Sequence, residues 1–479
     1  MYRTEKDFLG FVNIPEDALY GINAARAVQN FPYQFPFDID WYAAVGIVKL
    51  ACYNTYKKFK LATIETYKED LPISIINSEV LEALIKSATE ISEKKHFEWF
   101  IVSSIQGGAG TSINMNINEI IANRSIQIVG EKIGNYKIVD PIEHANIFQS
   151  TNDVVPTALK ICTMQLLKPL EIEINNLRAQ IEIKEKEGQD IIRIGYTQMQ
   201  AAVPTSYSKL FSTYSDALSR DWWRVSKCFE RIKVVNIGGS AIGTGIAVPR
   251  FFIMEVINEL QTLTKLPVTR SENLCDTTSN LDSFVEIHAI LKSLAVNLEK
   301  MASDIRLLSS DIIGSKEIII PPRQVGSSIM PGKVNPVIAE YVISIAHKVY
   351  ANDQIISSLS AQGCLELNAY LPSIGQALLE SIKLLTAACN SFSENLIKDL
   401  KFNKETAQEK LIYSPAITTA LIPYIGYNKA TLISKEMQEK KCSIYEANEK
   451  LKIIDNDKLK EITSTDVLLK LGYSLKDIL

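Results

Sequence analysis

The chain has 479 residues, of which 46% are hydrophobic, and a formal net charge of −4. That length and apolar content can bury cores for two or three domains. The small charge favours no partner by itself, but the absence of a lysine- or arginine-rich tract argues against nucleic acid, and no apolar run nears the ~20 residues that span a bilayer.

Met1–Asp7 is polar rather than an apolar leader. The seven cysteines are scattered without a Cys-x-x-Cys pair, which suits free thiols in a reducing compartment better than disulfides or a zinc site. A soluble, cytoplasmic protein without membrane or nucleic-acid partners is expected.

The first ~140 residues read as short helices and turns, with a boundary at Tyr136–Pro141. Within them Gly107, Gly108 and Gly110 precede Thr111, Ser112 and Asn114. Such a loop can bind an anion through backbone N–H groups and hydroxyls, although an isolated one is more often a turn. Further on, Gln149, Ser150, Thr151 and Asn152 precede a helix that Pro156 is placed to open. Their short polar side chains suit helix capping as well as ligand binding, and both readings stay open.

His144 lies five residues before that string. A reference pKa of about 6.5 makes histidine a ready base, but a structural or supporting role is preferred here. The other histidines, His96, His288 and His347, fall on predicted helices, where they fill space or face solvent. No His, Asp and Glu show metal-ligand spacing, so neither a metal nor a cofactor is expected.

Farther along, apolar residues recur at helical spacing. Phe284, Val285, His288, Leu291, Ala295, Leu298 and Ile305 form one face of a helix running from Leu281 to about Leu308. A second helix should follow Pro336 with Ile338, Val342, Ile345, Val349 and Ile356 on its stripe, and a third should span about 372–400. Long helices without strand signals between them predict a mainly α fold built on a central helical bundle. Residues 1–140, 141–400 and 401–479 would then be an N-terminal domain, the bundle and a small helical appendage.

Between the first and second of these predicted helices lies Gly326-Ser327-Ser328-Ile329-Met330-Pro331-Gly332-Lys333-Val334-Asn335-Pro336. Its glycines and prolines favour a structured loop. Lys333 and Asn335 can grip a carboxylate while a serine reaches the carbon beside it.

This string resembles the signature of the aspartase/fumarase superfamily, whose members eliminate an amine or water from succinate-like substrates to give fumarate. Leu19-Tyr20-Gly21, Arg26–Phe31, Gly107–Ser112 with Asn114-Met115-Asn116 and Asn118-Glu119, Gln149–Asp153, Gly238–Gly245, Ser414-Pro415 and Pro423–Tyr427 resemble the family in order. The resemblance covers nearly the whole chain. It implies the three-part aspartase/fumarase-like fold and a homotetramer whose sites are each assembled from three subunits. For activity it implies aspartate ammonia-lyase, with fumarate hydratase, a lyase for N-substituted aspartate, or a silent structural homologue as alternatives.

In the family a serine at the position of Ser327 is the base, acting as an alkoxide, and Lys333 and Asn335 stabilise the dianionic carboxylate that develops. Thr111, Ser112, Asn114, Ser150, Thr151, Asn152, Thr197 and Gln198 read as substrate grips. His144 and Glu340 read as supporting residues, Glu340 facing the Lys333 loop. Glutamine at Gln198, where fumarases usually carry histidine, favours amine over water elimination.

The pattern breaks at several places. Tyr196 replaces an arginine, Ala201 an aspartate and Ala24 a threonine; Ser208-Lys209-Leu210 stands for Gly-Gln-Glu; and the loop Ser310–Lys316 lacks the usual Gly-Pro-Arg. The paired loss of an arginine and an aspartate is either compensated or marks a reshaped pocket.

Overall fold

The computed structural model describes residues 1–68, 70–312 and 316–478. In chain order, a ribbon of β1 (Tyr2–Asp7) and β2 (Gly10–Pro15) leads to α1 (Ile22–Asn30), α2 (Ile39–Tyr67), α3 (Ser78–Ser92), α4 (Thr111–Ile128) and α5 (Thr151–Glu187). A second ribbon, β3 (Ile192–Thr197) and β4 (Gln200–Ser206), precedes α6 (Tyr207–Ile232), β5 (Val234–Val235), α7 (Arg250–Thr264), β6 (Thr269–Arg270), α8 (Leu274–Ser279) and α9 (Asp282–Leu308). Then come β7 (Ile318–Ile319), α10 (Val337–Ser360), α11 (Leu371–Phe392), β8 (Lys401–Phe402) and α12 (Lys404–Tyr413). Short helices α13 (Ile422–Ile425), α14 (Tyr427–Lys440), α15 (Ile444–Leu451) and α16 (Asn456–Ile462) follow.

The protein is mainly α, as the periodicity predicts. The helices over 281–308 and after Pro336 form as α9 and α10, and their stripes are buried at Phe284, Leu291, Ala295, Leu298, Ile305, Val342, Ile345, Val349 and Ile356. The expected 372–400 helix is α11, continued by a π-turn at Ser393–Ile397.

Three expectations need correction. The first 140 residues hold long helices, α2 alone having 29 residues. Its residues from Trp41 to Val45 and most of those up to Tyr56 are buried all round, so no amphipathic stripe marks it. Next, α5 begins at Thr151, leaving Pro156 inside it. A proline there removes the hydrogen bond to the carbonyl four residues back; the Asn152 oxygen instead accepts from Asn236 Nδ2 at 2.9 Å. Finally, His96 lies in a left-handed turn after α3 rather than on a helix, with φ 65°, and its Nε2 meets Glu90 at 2.8 Å.

The chain divides into two compact units, one of residues 1–170, 224–292 and 348–384, the other of 171–223, 293–347 and 385–479. In the first, α2 packs on α3 and α7, and α3 on α4. Asp38 caps α2 by accepting from the Asp40 and Trp41 amides. In the second, Ile194, Leu411, Ile417, Leu421, Ile433, Met437, Ile444, Leu459 and Ile462 form a continuous apolar core. Ser443 and Glu446 close a reciprocal capping box on α15. Among the described residues no helix is long and apolar enough to cross a membrane.

Candidate active site

The α4 and α5 N-termini meet in the first unit. Asn146 Nδ2 donates to the Gln149 carbonyl at 3.0 Å, which turns Asn146 Oδ1 toward Asn114 Nδ2 at 3.0 Å and Asn118 Nδ2 at 3.2 Å. With its amide so oriented, Asn114 Nδ2 also donates to Thr151 Oγ1 at 3.2 Å. The Thr151 hydroxyl therefore accepts from within the protein, and its own hydrogen is left to point at a ligand oxygen. Asn114 Oδ1 and Asn118 Oδ1 are buried without a hydrogen-bond partner, a cost of about 1–3 kcal/mol each of the kind that gathers at functional sites.

Ser150 answers the capping question. Its Oγ accepts from the Asn152 amide at 3.2 Å, while Asp153 Oδ1 accepts from the Ser150 amide at 2.9 Å. Ser150 thus caps α5 through its oxygen, and its hydroxyl hydrogen, like that of Thr151, is left to a ligand. Asn152 Nδ2 donates to the Ala241 carbonyl at 2.7 Å, and Asp153 Oδ2 accepts from the Gly238 and Ser240 amides at 3.2 and 3.0 Å. The Gly238–Gly245 loop is thereby stapled to the start of α5.

Beneath this turn Lys49 Nζ donates to Gln149 Oε1 at 2.9 Å. Burial pushes the Lys49 amine down to about 7, partly offset by the nearby Cys52 and Asp153. Burial likewise pushes the Asp153 carboxyl up to about 7 against the pull of its three backbone donors and Lys49.

Thr111 opens α4, and its Oγ1 donates to the Gly108 carbonyl at 2.8 Å. Ser112, half-buried, occupies the next position. His144 Nδ1 accepts from the Asp140 amide at 2.8 Å, so its ring closes a turn. His288 is fully buried between Asp353 at 3.0 Å and Ser381 at 2.8 Å, and Ser381 is itself fully buried.

In the second unit, the Gly326–Pro336 segment is a closed loop. The Gly326 amide donates to the Lys333 carbonyl at 3.0 Å, and Asn335 Nδ2 donates to the Gly326 carbonyl at 2.7 Å. A side chain at Gly326 would place Cβ 2.4 Å from the Lys333 oxygen, so only glycine lets the two ends meet. Inside the loop, Ser327 Oγ accepts from the Ile329 amide at 3.2 Å and the Met330 amide at 2.9 Å. Ser327 is half-buried and Ser328 exposed.

Lys333 and Asn335 line a cavity of about 1060 Å³ with Glu340, Arg306, Lys316 and Met199. Arg306 Nη2 lies 3.5 Å from Glu340 Oε1. Met199 belongs to the turn of the β3–β4 ribbon, which pairs Thr197 with Gln200. The turn residues Gln198 and Met199 both have positive φ, 52° and 60°. Two-residue hairpin turns need this geometry but ordinarily use Asn and Gly for it. Here it costs on the order of 1–2 kcal/mol per residue and fixes where Thr197 and Gln198 point.

The structure therefore gathers Asn114, Ser150, Thr151 and Asn152 at one place in the first unit. In the second, Ser327 shares its closed loop with Lys333 and Asn335, and Lys333, Asn335, Glu340 and Met199 line one cavity. Asn146 and Asp153 organise the first group; in the sequence Asp153 stands only as the end of the Gln149–Asp153 motif, and Asn146 belongs to no motif. Two side chains spaced to reach both helix starts were the available signal. Among the described residues no group of three or more His, Cys, Asp or Glu could hold a metal ion.

Residues 10–351 match the family described as lyase, and residues 417–470 match the fumarase C C-terminus. Aspartate ammonia-lyase from Bacillus sp is 37% identical over 96% of this chain and 96% of its own length. The Escherichia coli K12 enzyme of that name is 35% identical over 99% of this chain and 97% of its own. Among solved structures, fumarate lyase:delta crystallin from Brucella melitensis, bound to cobalt, has a TM-score of 0.90 at 33% identity, covering 98% of this chain and 99% of that one. Class II fumarase from Schistosoma mansoni has a TM-score of 0.86 at 28% identity, covering 97% and 98%. The chain belongs to the aspartase/fumarase superfamily of lyases.

Proposed function

We propose that the protein is an aspartate ammonia-lyase, converting L-aspartate reversibly to fumarate and ammonia with Ser327 as the base. As a member of this family with such relatives, it is a carbon–nitrogen lyase. The observation that carries the mechanism is the pair of backbone amides aimed at Ser327 Oγ. Donors directed at an oxygen favour its charged form, and this is what a serine alkoxide requires.

The alkoxide takes a proton from the aspartate Cβ, and the electron pair moves into the adjacent carboxylate. Lys333 and Asn335 stabilise that dianion as it forms. Collapse of the dianion restores the carboxylate, forms the carbon–carbon double bond and expels the amine, which enters as ammonium and leaves as ammonia. Thr151, with its hydroxyl hydrogen outward, and Asn152 hold the dicarboxylate with Thr111, Ser112, Thr197 and Gln198. Asn114 and Ser150 also meet the dicarboxylate, Asn114 orienting Thr151 and Ser150 capping α5, while His144 closes the turn before them and Glu340 pairs with Arg306 beside Lys333.

Thr197, Gln198 and Lys333 are exposed in the single chain, where water would weaken their hold on a dianion. A homotetramer that covers them and draws each site from several subunits resolves this. The separate apolar core formed largely by residues beyond 400 supports a C-terminal domain starting near 401, beside a 1–140 domain and a 141–400 bundle. Seven free cysteines fit a cytoplasmic setting.

The test is to add L-aspartate and follow fumarate by its ultraviolet absorbance. Fumarate is expected. An active preparation that releases fumarate from malate or an N-substituted aspartate, and none from aspartate, would overturn the assignment.

A further inference from the structure

Glu317 is fully buried, and side chains from three elements converge on it. Arg193 Nε and Lys410 Nζ each lie 3.2 Å from its carboxylate, and the Tyr196 hydroxyl donates to it at 2.5 Å. The Tyr207 hydroxyl donates to its carbonyl at 2.8 Å. Its amide donates to the Leu308 carbonyl at the end of α9, and its carbonyl also accepts from the Asn403 amide. One residue thus ties together β3, α6, α9, β7 and α12.

Arg193 and Tyr196 are three residues apart, a spacing that a regular strand puts on opposite faces. The ribbon register breaks between Ile194 and Tyr196, and both side chains reach the one carboxylate. Register breaks of this kind re-aim side chains beside functional sites. The Arg193 guanidinium also stacks over the Tyr196 ring at 5.5 Å. Tyr196 immediately precedes Thr197, at the base of a turn whose Gln198 and Met199 both hold left-handed conformations. A turn strained in that way keeps its shape only if its strands are pinned, and Met199 forms part of the cavity wall with Lys333 and Asn335.

We propose that Glu317 and Tyr196 are positioning residues: through their hydrogen bond they hold the Gln198–Met199 turn, and with it the Thr197 and Gln198 side chains, in the conformation that meets substrate, and so govern substrate affinity. The inference rests on the reading of Thr197 and Gln198 as substrate grips. It also gives the departure at Tyr196 a physical account, since the phenol hydroxyl joins Arg193 and Lys410 in satisfying Glu317.

The experiment compares the full-length protein with Tyr196→Phe, which removes one hydroxyl and keeps the ring over Arg193. Two readouts are taken, amide hydrogen exchange across 196–201 and steady-state kinetics on L-aspartate. A lost hydrogen bond to a charged acceptor, half-exposed, should speed exchange in the turn about tenfold and raise KM about fivefold, with kcat within about twofold. Lys410→Met, which removes another arm of the cluster, should shift both readouts in the same direction. Unchanged exchange in both variants overturns the inference. So does faster exchange, or a lower melting temperature, with an unchanged KM, because the cluster would then be merely structural. If the wild type makes no fumarate from aspartate, the functional reading fails by itself, and hydrogen exchange still decides whether this cluster holds the turn.

Discussion

Ser327 and Ser328 differ by one position, and their surroundings separate them. Two amides face the Ser327 oxygen, while Ser328 is exposed. Ser327→Ala should lower kcat by 10²–10⁴-fold or more, the range for loss of a general base, with the far-ultraviolet circular dichroism unchanged. Ser328→Ala should keep most of the activity, and the reverse pattern would move the base to Ser328. Asn146 offers a second test at this scale. Removing its carboxamide frees Asn114 to turn its oxygen toward Thr151, which would then spend its hydrogen inside the protein. Asn146→Ala should therefore lower kcat/KM on aspartate about tenfold or more; full activity would show that Thr151 is not oriented this way. The serine, lysine and amide of the Gly326–Pro336 string were legible because they are contiguous. Asn146 was not, since its role arises only when two helix starts converge on it.

Elements differ in how plainly they announce themselves. The apolar stripes of α9 and α10 are local and periodic, so both were legible. The largely buried α2 has no stripe, and the β3–β4 hairpin was hidden because Gln198-Met199 lacks the Asn-Gly signal of its turn. The interface between α3 and α4 carries a pH prediction. Arg124 Nε donates to Glu90 at 2.6 Å, and its hydrogen bonding, with help from His96, holds the Glu90 carboxyl down at about 2 from an ordinary 4.5. Because the folded value is the lower one, the unfolded chain binds more protons as the pH falls below 4.5. The stabilisation is thus complete above about 4.5 and is lost progressively between 4.5 and 2. Allowing for partial solvent screening it amounts to about 1–2 kcal/mol. Glu90→Gln should lower the denaturant midpoint at pH 7 and flatten its dependence on pH in that window. An unchanged slope would mean that the ion pair contributes nothing.

At the scale of the whole molecule, the sequence points to lyase motifs lying far apart along the chain, and the structure gathers them into two groups. A shared-site homotetramer has a direct consequence. Ser327→Ala and Thr151→Ala chains, each inactive alone, should recover part of the wild-type activity when co-refolded, because some mixed sites contain both native residues. Mixed tetramers that show no recovery would contradict the shared site.

The chemistry itself is tested most directly in the reverse direction. Purified protein is incubated with fumarate plus ammonium, and separately with fumarate alone, and the products are identified by mass. Aspartate from the first incubation and no malate from either is the expected result, with both silent for Ser327→Ala. Malate from fumarate alone, or aspartate formed equally well by Ser327→Ala, would contradict an ammonia-lyase that uses Ser327 as its base.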